Sequence, residues 1–137
     1  MPRLNRIVET ALYVDDLDRA AEFYEGTLGL SSMLRTRTLF AYDIGGQNVL
    51  LLFLRGASVE TQVSENGSIP PHDGHGPLHI CFAVDADELA SWEVQLERQG
   101  VSIEGRMRWN RGGTSIYFRD PDGHLLEIMT PGNWPNY

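Results

Sequence analysis

The sequence predicts an α+β protein assembled from two copies of one module, each running strand, helix, strand, strand, strand. Three observations carry this prediction. Residues 7–30, IVETALYVDDLDRAAEFYEGTLGL, and residues 78–101, LHICFAVDADELASWEVQLERQGV, share one plan: an alternating strand pattern, acidic residues, a helical pattern, then a glycine and an apolar residue. Three short strand-like runs follow each copy. A chain of 137 residues that is 42% hydrophobic suffices for one compact domain with a real core, and is too short for two ordinary ones.

Module one is expected over residues 5–56. Leu17, Ala20, Ala21, Tyr24 and Leu28 recur at helical spacing. Asp15 is placed to cap that helix, Asp18 falls in its first turn, and Gly29 sits where a helix ends. Strands are expected at 32–37, 38–44 and 49–54, with Gly45-Gly46 turning the last pair. Module two is expected over 77–132. Leu89, Trp92 and Leu96 mark its helical stripe, Asp85 and Glu88 have capping-box spacing, and Gly100 closes the helix. Its strands are expected at 101–105, 114–118 and 125–130, with Asp120-Pro121-Asp122-Gly123 as the hairpin turn. Residues 57–76, rich in Gly, Pro, Ser and His, read as a linker, and 131–137 as an irregular tail.

Composition removes several classes of function. Nineteen acidic residues against eleven basic ones leave a net charge of −8, a field that repels a phosphate backbone, so nucleic acid is not an expected partner. No apolar run approaches the roughly 20 residues that span a bilayer. Arg3 and Arg6 have no apolar stretch behind them, so no secretory signal is read. Cys81 is the only cysteine, which precludes an intrachain disulfide and points to a reducing cytoplasm. A small molecule is the expected partner.

Strand side chains alternate between faces. Val8, Thr10, Leu12 and Val14 should pack on the helix, which turns Glu9, Ala11 and Tyr13 to the opposite, concave side. In the second copy Leu78, Ile80, Phe82 and Val84 pack inward, and His79, Cys81 and Ala83 face the concave side. Glu9 and His79 therefore hold equivalent places. Aligning Gly56 with Gly132 pairs Leu51 with Glu127, with Val49 and Phe53 beside the former and Leu125 and Met129 beside the latter. Four equivalent concave positions thus carry Glu, Leu, His and Glu.

If the halves converge, two carboxylates about 4 Å apart repel by about 4 kcal/mol at an effective dielectric near 20. A bound dication reverses that sign, and His79 completes a facial set of three with Glu9 and Glu127. Three protein ligands leave open positions for water or a chelating substrate, as catalytic sites require. A lone strand Glu is ordinarily solvated, and a lone His among apolar residues is ordinarily a core histidine. The shared repeat position sets this trio apart. His72 and His75, in HDGHGPLH, lie in a loop without fixed register, with His75 the candidate for a substrate contact. Tyr117 falls on the Ser115 face and is a candidate for lining the cup. Tyr13, Leu51, Phe53 and Met129 make that cup largely apolar, which fits a substrate with a hydrophobic or aromatic part.

Three segments, LYVDDLDRAAEFYEGTLGL, HICFAVDADELASWEVQLERQGV and YFRDPDGHLLEIMTPG, resemble the glyoxalase, bleomycin-resistance and extradiol dioxygenase proteins of the vicinal oxygen chelate superfamily. The resemblance implies two βαβββ modules whose sheets form a half-open barrel around one divalent metal ion, with ligands from the first and last strands of each module. Those places match Glu9, Leu51, His79 and Glu127. It implies a metal-dependent lyase, isomerase or dioxygenase in which Mn, Fe, Zn or Ni is held by Glu9, His79 and Glu127, with Glu9 and Glu127 also serving in catalysis. It further implies a homodimer. Leu51 departs from glyoxalase I, which has a fourth ligand there, and one His with two Glu departs from the extradiol dioxygenases. The segment WNRGGTSIYFRDPDGHLLE resembles fosfomycin-resistance transferases, although the acidic residue of their cation-binding loop is replaced near Gly112. The alternatives are such a transferase, or a metal-free drug- or ligand-binding protein of the bleomycin-resistance type.

Overall fold

A computed structural model of the chain describes residues 1–137. The chain divides into two compact units, Met1–His75 and Gly76–Tyr137. The boundary falls just before the predicted start of module two, and each unit contains one four-stranded sheet.

In the first unit the sheet order is β1 (Glu9–Val14), β4 (Asn48–Leu54), β3 (Leu39–Ile44), β2 (Ser31–Arg35). β1 runs parallel to β4 and the other pairs are antiparallel. Leu50 and Leu52 are fully buried while Leu51 and Phe53 are only half-buried, the alternation expected of a strand with one core face. Leu12 and Val14 join that core; Val8, outside β1, and Thr10 are exposed, so the inward face of β1 begins at Leu12. Between Ile44 and Gln47, Gly45 and Gly46 take φ of 61° and 71°. That pair of left-handed residues turns the three-residue loop between Ile44 and Asn48, in a backbone conformation that side chains would oppose.

The helix α1 (Leu17–Ala21) continues as a π-helical segment over Glu22–Thr27. Its N-cap is Asp16 rather than Asp15: the Asp16 carboxylate accepts from the backbone N–H of Asp18 and Arg19, both at 3.0 Å. Asp15 is drawn to Arg55 instead, whose Nε donates to it at 2.9 Å. Ala20, Ala21, Phe23, Tyr24 and Leu28 are buried, as the helical spacing requires.

The stretch read as a linker is not featureless. It carries a hairpin, β5 (Gln62–Ser64) and β6 (Gly67–Ile69), turned by Glu65-Asn66. The run is too short and too polar to stand out as strand in the sequence, and all six strand residues are exposed.

In the second unit the order is β7 (His79–Ala83), β10 (Leu125–Met129), β9 (Thr114–Arg119), β8 (Gly105–Arg108), with β7 parallel to β10. The strand expected at 101–105 begins only at Gly105. Leu126, Ile128, Ile116 and Phe118 form its core, all at 1% exposure or less. α2 (Leu89–Arg98) contributes Leu96, fully buried, to a helical stripe in which Leu89 and Trp92 are half-buried. The Asp85/Glu88 capping box does not form; the Glu88 N–H bonds to the Asp85 carbonyl, and no side chain caps the helix. In the Asp120–Gly123 turn the Asp120 carboxylate accepts from the N–H of Asp122 and of His124. The tail is anchored: the Tyr137 hydroxyl donates to the carbonyls of Val84 and Met129 at 3.1 and 2.9 Å.

Candidate metal centre

Strand register in the second unit puts Cys81, Glu127 and Tyr117 side by side on three neighbouring strands. His79 lies two residues before Cys81 and therefore on the same face. Its Nδ1 is 2.9 Å from the Leu125 carbonyl oxygen. A carbonyl only accepts, so Nδ1 carries the proton and the ring is held in one orientation. Nε2 then faces the Glu127 carboxylate, 3.3 Å from Oε2. Two electron-rich atoms at that spacing need a cation between them or a proton on Nε2.

Glu127 distinguishes the two. The residue is 4% exposed, and its Oε1 is buried without a hydrogen-bond partner. An orphaned buried acceptor of this kind costs about 1–3 kcal/mol. The Cys81 thiol and the Tyr117 hydroxyl stand beside the same carboxylate, and a cation bound there would be met by both of its oxygens. The donor set, an imidazole nitrogen and a carboxylate, suits a divalent ion. Burial, then Glu127, pushes the Cys81 thiol up to about 12. Burial and then the Glu127 carboxylate likewise raise the Tyr117 hydroxyl. Both stay protonated at neutral pH.

The sequence-predicted Glu9 begins β1 in the first unit, as His79 begins β7 in the second. Glu9 pairs with Val49, and His79 with Leu125. Two residues on, Ala11 pairs with Leu51, and Cys81 with Glu127. The equivalence of Leu51 with Glu127 inferred from the glycine alignment is therefore exact in the strand register. Glu9, Tyr13, Leu51 and Phe53 line one open hollow of about 680 Å³ in the first unit. Neither unit by itself gathers three or more His, Cys, Asp or Glu side chains that could hold a metal.

The loop histidine that lines the hollow is His72, not His75. The Tyr13 hydroxyl and His72 Nδ1 are 2.8 Å apart, and the His72 ring stands 4.6 Å from that of Phe53 at 75°. His75 is 80% exposed and pairs with Asp73 at 3.4 Å. Sequence reasoning set His72 aside because Gly and Pro surround it. The signal that would have found it is the acidic and cationic company of the loop: Asp73 accepts from the Gly56 N–H, and Arg55 donates to the Gly74 carbonyl. The fourth histidine, His124, is fully buried and accepts at Nδ1 from the Leu78 N–H, a structural role.

No helix is long and apolar enough to cross a membrane. A profile of the Glyoxalase/Bleomycin resistance protein/Dioxygenase superfamily matches residues 6–128. The chain is 30% identical over 118 residues to the metallothiol transferase FosB of Bacillus licheniformis, covering 85% of this chain and 70% of that one. It is also 30% identical over 129 residues to the FosB of Shouchella clausii, covering 93% and 81%. Among solved structures, a lactoylglutathione lyase from Agrobacterium tumefaciens is 34% identical with a TM-score of 0.86, covering 95% of this chain and 96% of that one.

Proposed function

We propose, since the chain belongs to the Glyoxalase/Bleomycin resistance protein/Dioxygenase superfamily, that it is a divalent-metal-dependent enzyme acting on a small oxygenated substrate with an apolar portion. The observation that carries this reading is the Glu127 carboxylate, buried with Oε1 unpartnered and Oε2 facing His79 Nε2. In this reading His79 and Glu127 hold the ion, and Glu9, the register equivalent of His79, is the third ligand. When bound, the ion supplies Lewis-acid polarisation of a substrate oxygen. The chain's own residues do the rest. Leu125 orients His79, Cys81 and Tyr117 present protonated donors beside Glu127, and Glu9 or Glu127 carries the proton that the substrate gives up or takes. One His and two carboxylates favour Mn²⁺ or Fe²⁺, with Zn²⁺ and Ni²⁺ as further choices. The functional assembly in this reading is a homodimer in the cytoplasm.

The names of the relatives order the reactions. One is called a metallothiol transferase and another a lactoylglutathione lyase, and both names put sulfur on a reaction partner. We therefore rank making or breaking a bond between a thiol sulfur and carbon above dioxygenase chemistry. The test has two stages. Metal content is measured after purification without chelators, and Mn²⁺, Fe²⁺, Zn²⁺ and Ni²⁺ are titrated by calorimetry into wild type and Glu127→Gln. Stoichiometric binding that the substitution abolishes is expected; absence of binding would leave a metal-free ligand-binding protein. The loaded protein is then assayed for thiol consumption with glutathione and methylglyoxal, for thiol consumption with cysteine and fosfomycin, and for oxygen uptake with catechol.

A further inference from the structure

The hollow in the first unit has a shape that the metal reading leaves unexplained. Strand register sets its floor in three rows. Glu9 pairs with Val49 at one end, Leu51 with both Ala11 and Ala41 in the middle, and Tyr13 with Phe53 at the other end. The middle row opens because Ala11 and Ala41, which flank Leu51, are small. At about 3.3 Å per residue, Glu9 and Tyr13 lie about 13 Å apart along β1. The space is therefore a trough with a carboxylate at one end and rings at the other. Its volume, about 680 Å³, lies well above the need of a three-carbon substrate and within the range of ordinary ligand pockets.

The ring end is a built wall. Tyr13 and Phe53 stack with centroids 5.9 Å apart, and His72 meets both. The loop that carries His72 is fastened by its own N–H on the Ser58 carbonyl at 2.9 Å and by the Gly56 N–H on Asp73 at 3.1 Å. Gly74 approaches the Tyr13 ring so closely that a Cβ there would lie 2.4 Å from Cδ2. With the Tyr13 hydroxyl engaged at Nδ1, His72 brings a polar edge to an otherwise apolar end.

We propose that this trough is the tail subsite of the substrate, so that the ligand is an elongated amphiphile. Its oxygen-donor head lies at the Glu9 end. An unbranched alkyl or aryl tail of about six to eight carbons, the length that the strand rise allows, lies over Ala11 and Ala41 and ends against Tyr13, Phe53 and His72. The head assignment rests on the metal reading; the tail assignment rests on the hollow alone.

Two matched pairs of probes separate these. Pyruvate and 2-oxooctanoate are titrated by calorimetry into Mn²⁺-loaded protein, and acetate and octanoate into metal-free protein. Each methylene that enters the trough tightens binding about threefold to fourfold, so the longer member of each pair is expected to bind at least 30-fold more tightly. Ala11→Phe fills the middle row and should cut that ratio below threefold, and His72→Ala, a loop substitution that leaves the core intact, should cut it at least threefold. A flat chain-length response with bound Mn²⁺, or a ratio unchanged in both variants, overturns the tail subsite. A ratio that persists in metal-free protein that binds no Mn²⁺ upholds the subsite and overturns the metal reading instead.

Discussion

Leu51 and Glu127 occupy one position in two sheets: each lies on the last strand of its four-stranded sheet, beside the third residue of the first strand. Leu51 is half-buried and lines an apolar hollow, whereas Glu127 is buried with an unpaired oxygen. The same backbone place has been given a hydrocarbon in one module and a ligand in the other, so the donor set is asymmetric although the scaffold is not.

Metal should stabilise the fold through Glu127. At a Mn²⁺ concentration about 100 times its dissociation constant, binding to the native state alone adds about 2.7 kcal/mol. Thermal unfolding followed by circular dichroism should show the rise in wild type and none in Glu127→Gln. An equal rise in both would remove Glu127 from the ligands.

The His79 ring should be found as the Nδ1–H tautomer before metal is added, because the Leu125 carbonyl at 2.9 Å accepts that proton. Long-range ¹H–¹⁵N spectra report it directly. Adding Zn²⁺ should shift Nε2 and leave Nδ1 protonated; a shift at Nδ1 would mean that the ring has flipped.

Cys81 should be a slow thiol. Burial and Glu127 push it up to about 12 from 9.0, so little thiolate exists at pH 8. Allowing for the greater nucleophilicity of a more basic thiolate, alkylation by iodoacetamide should be on the order of 50-fold slower than for an unperturbed cysteine. The rate should keep rising with pH through 10, where an ordinary thiol has levelled off. Glu127→Gln removes one cause and should speed the reaction.

Acid should loosen the His72 loop. The Gly56 N–H, first among several causes, holds the Asp73 carboxyl below its ordinary 3.8. A depressed carboxyl contributes stability that is complete above its unfolded value and is lost as pH falls through the folded one. Asp73→Asn should therefore destabilise the protein at pH 7, by an amount that shrinks below pH 3.8. A constant difference in denaturant midpoint across that range would contradict the assignment.

Gly74→Ala should turn the Tyr13 ring. The backbone there is unstrained, but the added Cβ would lie 2.4 Å from Cδ2 and 2.8 Å from Cε2. Overpacking of this kind costs about 1–3 kcal/mol. Equilibrium unfolding should show that loss, and the Tyr13–His72 hydrogen bond should be absent from the variant's crystal structure.

Much of this architecture was legible because period and repeat reinforced each other. The alternation in β1, β4, β7 and β10 assigns each residue a face, and two copies of the pattern make Glu9 and His79 comparable from the sequence alone. The places that escaped were decided by competition between neighbours. Asp15 and Asp16 are equal candidates for a cap until Arg55, forty residues away, claims the first. Asp85 and Glu88 have the right spacing for a capping box, but a backbone turn commits the Glu88 N–H, which the Asp85 side chain would have needed, to the Asp85 carbonyl. His72 looked adrift because its neighbours are Pro and Gly; side-chain and backbone bonds from distant residues fix it, and periodicity does not record those.

The parallel pairing of first and last strands has a bearing on how the chain acquires its shape. β1 finds β4 only about forty residues later, and β7 finds β10 after a separation of 46 between His79 and Leu125. Such long-range pairings slow folding, since the ends of each loop must meet before any ladder forms. During synthesis neither sheet gains the strand that joins its first strand to the others until that module is nearly complete, and β1 waits unpaired while the ribosome delivers the rest. Nascent chains arrested just before residue 48 should therefore remain open to protease throughout.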